Sequence, residues 1–422
     1  MTPQVLPGDV RSSLELSALK IPQAARHPAA LRPAIISAPH TSITNHFNYI
    51  SRASRLLRAS MQIRSASIST SILAAISTDP DNPKRRSFRI KIFRVLASFL
   101  SIFSLPLSRY RAADFLELRH NVWQMDEEEY ANSFHLAERR SKGKSRESDL
   151  KPVGDLGYSG STFFTTADGK FLIKSLPRRF EHEFFTHDLF DAYVAHMKEH
   201  PHSLLVRITD MVYTSLATLG GILGTAPTHH IIMENLLYGK EMEETEHRKS
   251  GWETYDLKPN DYFFPERDIA GGKLAPESVK ERLIDEFPDK IRMKADKRQE
   301  LLDLLDADTK LLADNNAVDY SLFLVRYPGP NVTDSDRENA PSIQSDAHPW
   351  RTGIVDADGN WFYRVVVLDF FWAKHKFRAK LMTGLVDSYN VIAGHGPMSI
   401  TANPAEYQQR FIDMVKDIVI EA

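Results

Sequence analysis

Residues 157–176 read GYSGSTFFTTADGKFLIKSL and contain the pattern that decides the fold of this chain. Apolar and polar residues alternate on both sides of Ala167-Asp168-Gly169, a triplet that suits the turn of a β-hairpin. The stretch therefore predicts two antiparallel strands joined by a tight turn, with a second glycine-containing turn in front of the first strand.

The sequence after this hairpin predicts a small antiparallel sheet with one helix against it. Phe180 to His200 places large apolar residues at helical spacing. LLVRITDMVYTSL (204–216) and HHIIMENLL (229–237) read as further strands, separated by a glycine-rich turn. We expect these elements to form an N-lobe over about residues 108–240.

The remainder of the chain has a different pattern. A long amphipathic helix is predicted from about Asp296 to Asn315, followed by a short strand, SLFLV (321–325). A strong strand, RVVVLDFF (364–371), and a closing helix, AEYQQRFIDMVKDIVIEA (405–422), come after it. A strand-rich part followed by a helix-rich part predicts an α+β fold of two lobes, with a mixed C-lobe over about 241–422 and a ligand-binding cleft between them.

Composition separates the N-terminal quarter from the rest. The 422 residues carry a formal net charge of -2, yet residues 1–112 contain many Arg and Lys and very few acids. We expect residues 1–107 to be a basic, largely disordered extension. Within it, the pattern of Ile50 to Ile63 is compatible with a helix, and a helix near 87–107 could lie on a membrane surface. For that second helix, burial on the following domain is an equal alternative. A further segment of low order is expected at 328–352.

The chain contains no cysteine, which excludes disulfides, thiolate metal sites and a cysteine nucleophile. A cytoplasmic location, peripheral at membranes, fits best. A mitochondrial transit peptide in the acid-poor N-terminus is the alternative.

Several residues of the predicted sheet could hold a phosphorylated ligand. Glycines in GYSG allow backbone N–H groups to approach phosphate oxygens, although most such loops are only turns. Lys174 lies one strand later between apolar neighbours, where it either points into a cleft or faces water from an edge strand. On the next helix, Glu183 shares a helical face with Phe190 and is the preferred ion-pair partner of Lys174, with Glu181 as the alternative.

Two aspartates follow the same logic in the second half of the chain. Asp319 lies between the long helix and an apolar strand, and Asp369 ends the strand VVVLDFF. A carboxylate at the end of a hydrophobic strand is a common magnesium ligand, although each residue alone could be a cap or a turn acid. A glycine loop, a lysine, a glutamate and two aspartates in this order match the requirements of phosphoryl transfer.

From about residue 108 to residue 422 the chain resembles the phosphatidylinositol phosphate kinases. The matching segments occur in the family's order: the first helices, DFLELRHNVWQMDEEEYANSF (114–134), the glycine loop GYSGSTFF (157–164), the lysine strand FLIKSL (171–176), the adenine-binding hinge HHIIMENLL (229–237), TYDLKP (254–259) for DLKGS, AVDYSL (317–322) for MDYSL, VVVLDFF (365–371) and ANPAEYQQRF (402–411).

The resemblance implies a two-lobed fold of the lipid-kinase and SAICAR synthase type, and it implies roles for particular residues. Lys174 would hold ATP phosphates, Asp319 would orient or deprotonate the inositol hydroxyl, and Asp369 would bind Mg²⁺. Lys258 would place a second cation near the transferred phosphate. The remaining expected cofactor-binding residues are those of the glycine loop, the hinge and the helix: Gly157, Ser159, Gly160, Ser161, Met233, Asn235 and Glu183.

The implied cofactors are ATP and Mg²⁺, and the implied partners are a phosphatidylinositol monophosphate and an anionic membrane surface. No nucleic-acid partner is expected, and a homodimer is left open. Basic residues at 374–380 suit an anionic membrane.

The chain departs from the family at several points. Pro259 and Asn260 stand where the family has Gly and Ser. The family's acidic segment has only a loose counterpart here, at 285–290. The loop VIAGHGPMSI (391–400) lacks the paired lysines that many members have there. A pseudokinase that binds phosphoinositides or a protein, and an enzyme acting on a soluble small molecule, are therefore alternatives to an active lipid kinase.

Overall fold

The strands predicted around the hairpin form one antiparallel sheet of six strands in a computed structural model of the chain. The structure describes residues 43–77, 102–140, 150–153, 161–243, 251–259, 287–331, 341, 343, 347–373 and 403–422, with side chains omitted for 43–59 and 135–140. The strand order in the sheet is β1-β5-β6-β4-β3-β2. Its strands are β1 (Ser108–Arg109), β2 (Leu150–Val153), β3 (Phe163–Thr166), β4 (Phe171–Ser175), β5 (Ile208–Tyr213) and β6 (His229–Glu234).

The predicted hairpin is confirmed as β3 and β4. Phe163 lies opposite Lys174, and the turn between the strands places Gly169 at φ 77°, a left-handed conformation that glycine adopts without steric cost. Asp168 stabilises the turn by accepting hydrogen bonds from the Thr166 hydroxyl and the Lys170 N–H. The turn is therefore determined by local chemistry within the quoted stretch.

Helices described in this half of the chain are α1 (Ile43–Ile76), α2 (Ala112–Glu117), α3 (Glu127–Arg140), α4 (Arg179–Glu183), α5 (Phe190–Glu199), α6 (Leu219–Ile222) and α7 (Lys240–Glu243). The predicted helix over Phe180 to His200 is present as α4 and α5. A π-helical turn, Phe184–Leu189, joins them and changes the angular position of every residue before it relative to those after it.

A second antiparallel sheet contains the strands that end at the predicted aspartates. Its order is β11-β12-β10-β7, and residues 204–206 connect it to the first sheet through hydrogen bonds with Val367. The strands of the second half are β7 (Glu253–Leu257), β8 (Ile291–Met293), β9 (Ala317–Val318), β10 (Ser321–Pro328), β11 (Ile354–Val355), β12 (Trp361–Leu368), β13 (Trp372–Ala373) and β14 (Val419–Glu421).

Helices in this half are α8 (Ala295–Asp314), α9 (Pro349–Thr352) and α10 (Pro404–Ile418). The predicted long helix is confirmed as α8. The closing helix ends earlier than predicted, because the chain after Ile418 forms β14 and pairs in parallel with β8. The mixed α/β class with antiparallel sheets agrees with the prediction.

Two segments expected to be of low order contribute to the core. Ile68, Ile72 and Leu105 are buried, so the extension is more ordered here than expected. The helix predicted from Ile50 to Ile63 is longer, and the part of the predicted surface helix that the structure describes, 102–107, is not helical.

In the other segment, β10 continues to Pro328 and Trp350 of α9 is fully buried. Residues 332–340, 342 and 344–346 lie outside the described part. Residues 58–422 belong to one compact unit. Among the helices of the described residues, none combines the length and apolar character that crossing a bilayer requires.

A buried aspartate connects α8 to the first half of the chain. Asp308 of α8 accepts hydrogen bonds from His196 Nε2 (2.7 Å), the Ser203 hydroxyl (2.7 Å) and the Leu204 N–H (2.6 Å). All of these groups are buried, so the loss of the acceptor would leave donors unsatisfied.

Asp308→Ala is therefore expected to lower the free energy of unfolding by about 2–4 kcal/mol in urea denaturation. Asp303→Ala on the exposed side of the same helix is the matched control, with an expected change of about 0.5 kcal/mol or less. Equal losses in the two variants would contradict a structural role for the Asp308 network.

Candidate active site

Lys174 extends from β4 on a buried face of the first sheet. The ammonium group forms an ion pair with the Asp369 carboxylate and lies 5.6 Å from the centre of the Phe163 ring. The side chain is only 7% exposed, so the alternative of an edge-strand lysine facing water is wrong. The first predicted cation and the predicted metal ligand are thus in direct contact.

The register of the second sheet brings the other predicted residues to the same edge. Ser321 of β10 pairs with Leu368 of β12, so Asp319 just before β10 and Asp369 just after β12 lie at one end of the sheet. Leu257 of β7 pairs with Leu322, which places Lys258 at this end as well. A short ribbon of β9 and β13 holds the two aspartate loops together.

Both aspartates have left-handed backbone conformations. Asp319 has φ 64° and Asp369 has φ 65°, values that cost non-glycine residues roughly 1 kcal/mol each and that Asp tolerates better than most. The surrounding structure maintains the conformation at Asp319: the Tyr407 hydroxyl donates to the Tyr320 carbonyl, and the Tyr407 and Phe411 rings pack against Tyr320. Backbone strain of this kind is common at functional sites.

Lys258 and Asp319 form the second ion pair. Lys258 Nζ lies 2.8 Å from both Asp319 Oδ1 and the Asp319 carbonyl oxygen. Burial would lower the pKa of Lys258, but the carboxylates of Asp319 and Asp256 outweigh it and raise the pKa above its usual value. Lys258 is therefore a permanent cation. Pro259 directly follows it and is buried, and Asn260 lies outside the described residues.

Asp256 belongs to the same cluster and was not among the predicted site residues. Asp256 is exposed on β7, yet partial desolvation by the surrounding cluster and the neighbouring Asp369 carboxylate raise its pKa, while Lys258 partly offsets them. The sequence did contain a signal for Asp256. It precedes Lys258 by two residues in TYDLKP, and side chains two residues apart in a strand point to the same side.

Arg178 is a second residue that the sequence analysis missed. Burial would raise the pKa of Asp369, but Lys174, Lys258 and Arg178 lower it below its usual value. The Arg178 guanidinium also lies 5.2 Å from the Trp372 ring. Its position beside Asp369 depends on the packing of α4 against β13 and has no sequence signature.

The prediction that Glu183 pairs with Lys174 is wrong. Glu183 Oε1 accepts a hydrogen bond from Arg179 Nε at 2.6 Å, in a pair that faces solvent. Glu181, the alternative, is the buried carboxylate: it pairs with Arg178, and the Lys174 charge helps to offset the effect of burial, which raises the pKa of Glu181. The π-helical turn after Glu183 explains the error, because the predicted face assumed an unbroken period of 3.6 residues.

The expected nucleotide-binding residues are only partly described. Gly157, Ser159 and Gly160 lie outside the described residues, and Ser161 is buried just before β3. Met233 lies on the same face of the first sheet as Lys174, since Ile231 pairs with Lys174.

Hydrogen bonds within the protein engage the backbone of Asn235, and its predicted role in the hinge stays a prediction. The Asn235 N–H donates to the Lys170 carbonyl, so this donor is not available to an adenine, and the Asn235 carbonyl accepts one hydrogen bond from the Tyr238 N–H.

The cluster fits a magnesium ion coordinated together with phosphate oxygens. Within the described part of the chain, no group of three His, Cys, Asp or Glu residues has the geometry of a metal site. Mg²⁺ needs only one or two protein carboxylates when phosphate oxygens and water complete its shell. Asp369 is one candidate, and Asp256, whose pKa the Asp369 charge raises, is the other. A cavity of about 430 Å³ lined by Trp123, Lys170 and Arg207 does not include any residue of this cluster.

Two lysines and three aspartates converging at the ends of β7, β10 and β12 are typical of enzymes that transfer phosphoryl groups with magnesium. A family model described as phosphatidylinositol-4-phosphate 5-kinase matches residues 144–418. The chain belongs to this family, and the predicted resemblance is confirmed.

Two curated relatives carry the same type of name. A probable phosphatidylinositol phosphate kinase of Dictyostelium discoideum is 30% identical over 205 residues, which cover 48% of this chain and 25% of the relative. A phosphatidylinositol 4-phosphate 5-kinase of Plasmodium falciparum is 28% identical over 183 residues, 42% of this chain and 10% of the relative. The matched regions thus span a quarter or less of each relative's length.

Asp256→Asn is expected to stabilise the metal-free protein at pH 7. A carboxyl whose pKa is raised on folding stabilises the protein below its unfolded pKa and loses this contribution as pH rises through the folded pKa. Because Asp256 is exposed, solvent screens the cost of its charge, and the amide is expected to raise the free energy of unfolding at pH 7 by only about 0.5 kcal/mol or less.

The check is the free energy of unfolding at pH 7 and near pH 4, where the gain should shrink. Asp303→Asn on the exposed side of α8 controls for a change in net charge. A loss of stability in Asp256→Asn at pH 7 would mean that attraction to Lys258 dominates.

Proposed function

We propose that the chain is an ATP- and Mg²⁺-dependent kinase that phosphorylates a ring hydroxyl of a phosphatidylinositol monophosphate. The observation that carries this proposal is the meeting of the pairs Lys174–Asp369 and Lys258–Asp319 at one edge of the second sheet. Membership of the phosphatidylinositol-4-phosphate 5-kinase family supports it.

The phosphate side of the site is proposed to be Lys174, Asp369 and Asp256. Magnesium, when bound, would neutralise charge that develops on the transferred phosphoryl group. Asp369 and Asp256 would hold the ion, and Lys174 would turn from Asp369 to the nucleotide phosphates, a short movement because its ammonium already lies at the metal ligand.

The acceptor side is proposed to be Asp319 and Lys258. Asp319 has a carboxylate oxygen fixed by Lys258 and a second oxygen with which it can accept a hydrogen bond from an inositol hydroxyl. Lys258 remains charged at neutral pH, so it can also stabilise a phosphoryl group between the two pairs. Proton removal and charge stabilisation would thus come from adjacent side chains.

The same proposal extends to architecture and location. The six-stranded sheet and the residues of the second sheet would correspond to the N-lobe and C-lobe, with the nucleotide between them. The chain would act in the cytoplasm as a peripheral membrane protein, and the basic residues at 84–94 and 374–380 would favour anionic membranes. Both basic segments lie outside the described part of the chain, so both rest on sequence alone.

A pseudokinase is the second candidate, and two observations favour it. Pro259 cannot supply a backbone donor after Lys258, and the Asn235 N–H is used within the protein. Such a protein would retain phosphoinositide binding without turnover.

Asp319→Asn and Asp369→Asn are each expected to lower lipid phosphorylation by about 100-fold or more, because they remove the hydroxyl acceptor and the metal ligand. The measurement is phosphate transfer from labelled ATP to a panel of monophosphorylated inositol lipids in mixed micelles.

Glu183→Gln is the control, with activity expected within about twofold of the wild type because its exposed ion pair contributes little. Unchanged activity in both aspartate variants would show that the catalytic site has been assigned wrongly. If Glu183→Gln lost as much activity as the aspartate variants, Glu183 would have the role at Lys174 that the sequence predicted for it.

Mg-ATP is expected to raise the melting temperature of the wild-type chain, with a stabilisation of about 2.7 kcal/mol at a hundredfold excess over Kd. Lys174→Met should lose most of this increase, because its ammonium is proposed to hold the phosphates. Stabilisation by Mg-ATP without turnover of any lipid would identify the pseudokinase.

A further inference from the structure

The cavity of about 430 Å³ lies on the face of the first sheet opposite to Lys174. Phe171 lines it, and Phe171 is three positions from Lys174 in β4, so the two side chains point to opposite faces. Phe171 pairs with Glu234 of β6, whereas Lys174 pairs with Ile231. The cavity is therefore separate from the charged cluster, and its volume suits a small molecule.

A buried arginine lines this cavity. Arg207 is only 4% exposed, yet it forms no ion pair within the part of the chain that the structure describes. Its guanidinium donates one hydrogen bond, from Nη2 to the Pro201 carbonyl at 3.3 Å, and lies 5.5 Å from the centre of the Trp123 ring. A guanidinium carries five N–H donors, so most of these have no acceptor among the described residues. A buried cation without a carboxylate is unfavourable, and an anion beside it would remove that cost.

The carboxylate of Glu234 is already used by other groups. Glu234 Oε1 accepts a hydrogen bond from the Arg207 backbone N–H at 3.0 Å and forms an ion pair with Arg351. Burial and the Arg351 charge lower the pKa of Arg207 to about 9, and Glu234 offsets this only in part. Two guanidinium groups thus share one carboxylate, and Arg207 is still a cation at neutral pH.

The acids that line the cavity are exposed to solvent, unlike Arg207. Glu129 forms an ion pair with Lys170 at 3.3 Å, and Asp126 accepts a hydrogen bond from the Glu129 N–H at 2.7 Å. Water screens these exposed charges, whereas it does not screen a buried guanidinium to the same extent. The interior of the cavity therefore favours an anion, and the buried rings of Trp123 and Phe171 add apolar surface to its lining.

We propose that this cavity binds a small organic oxyanion, a phosphate monoester or a carboxylate, whose charged end contacts the Arg207 guanidinium. The planar guanidinium can donate two parallel hydrogen bonds to either group. Trp123 and Phe171 would pack against the apolar body of the ligand. The inference uses no residue of the charged cluster, so it is independent of the proposed kinase function.

The test is isothermal titration calorimetry of the full chain with phenyl phosphate, benzoate and inorganic phosphate, without ATP or Mg²⁺. At least one organic probe is expected to bind more tightly than inorganic phosphate, because only an organic ligand can also cover the aromatic lining. The tighter organic probe identifies the class as phosphate monoester or carboxylate. The proposal is overturned if neither organic probe binds at millimolar concentration, or if inorganic phosphate binds as tightly as both.

Arg207→Met is expected to weaken binding of the tighter probe by about tenfold or more, because it removes charge-assisted hydrogen bonds. Arg292→Met removes an exposed arginine outside the cavity and should bind as wild type does. Lys174→Met should also bind as wild type does, since its side chain lies on the other face of the sheet. Loss of binding in Lys174→Met instead of Arg207→Met would place the probe at the charged cluster and contradict the proposal.

Urea denaturation separates a ligand site from a structural role of Arg207. Because the guanidinium has no ion-pair partner among the described residues, Arg207→Met should unfold at or above the wild-type midpoint. The tighter probe should raise the midpoint of wild type and not that of the variant. A much lower midpoint in Arg207→Met, with no effect of the probe on wild type, would assign Arg207 to packing against Trp123 and overturn the proposal.

Arg207→Lys keeps the test usable if the methionine variant does not fold. It retains the charge but loses the planar pair of donors, so it should bind the tighter probe about threefold more weakly or worse. Wild-type affinity in both Arg207 variants would show that the probe binds elsewhere.

Discussion

The ion pair between Lys174 and Asp369 is the contact on which the candidate site depends. It joins the first sheet to the end of β12, and so connects the predicted phosphate-binding cation with the predicted metal ligand. Lys174 is buried, where an unpaired charge would be costly, and the partly exposed Asp369 carboxylate compensates it. The pair therefore helps to hold the end of β12 against the first sheet.

The rest of the cluster follows from the same requirement for charge balance. Lys258 lies between carboxylates and stays protonated, while Asp256 faces Asp369 and has a raised pKa. Asp256 is exposed and Asp369 is partly exposed, so solvent and the two lysines together offset the repulsion between these carboxylates.

Local patterns in the sequence predicted most elements and several site residues. The β3–β4 hairpin, α8 and β12 have strong periodic signals, and Lys174, Asp319 and Asp369 stand at the ends or centres of apolar strands. Glu183 was misassigned because a π-helical turn shifts the helical phase after it, and no sequence pattern marks that turn. Arg178 and Asp256 gain their meaning only from neighbours far along the chain.

The amino-acid sequence by itself determined the alternation of strands, the turns and the residue types available for chemistry, because these depend on contacts within a few positions. Only the tertiary structure decided which charges meet. Distances in the site depend on the strand register of β7, β10 and β12 and on the packing of β4 beside them. They join residues separated by as many as 195 positions in the sequence. Such distances depend on the sum of many packing contacts, which no short stretch of sequence contains.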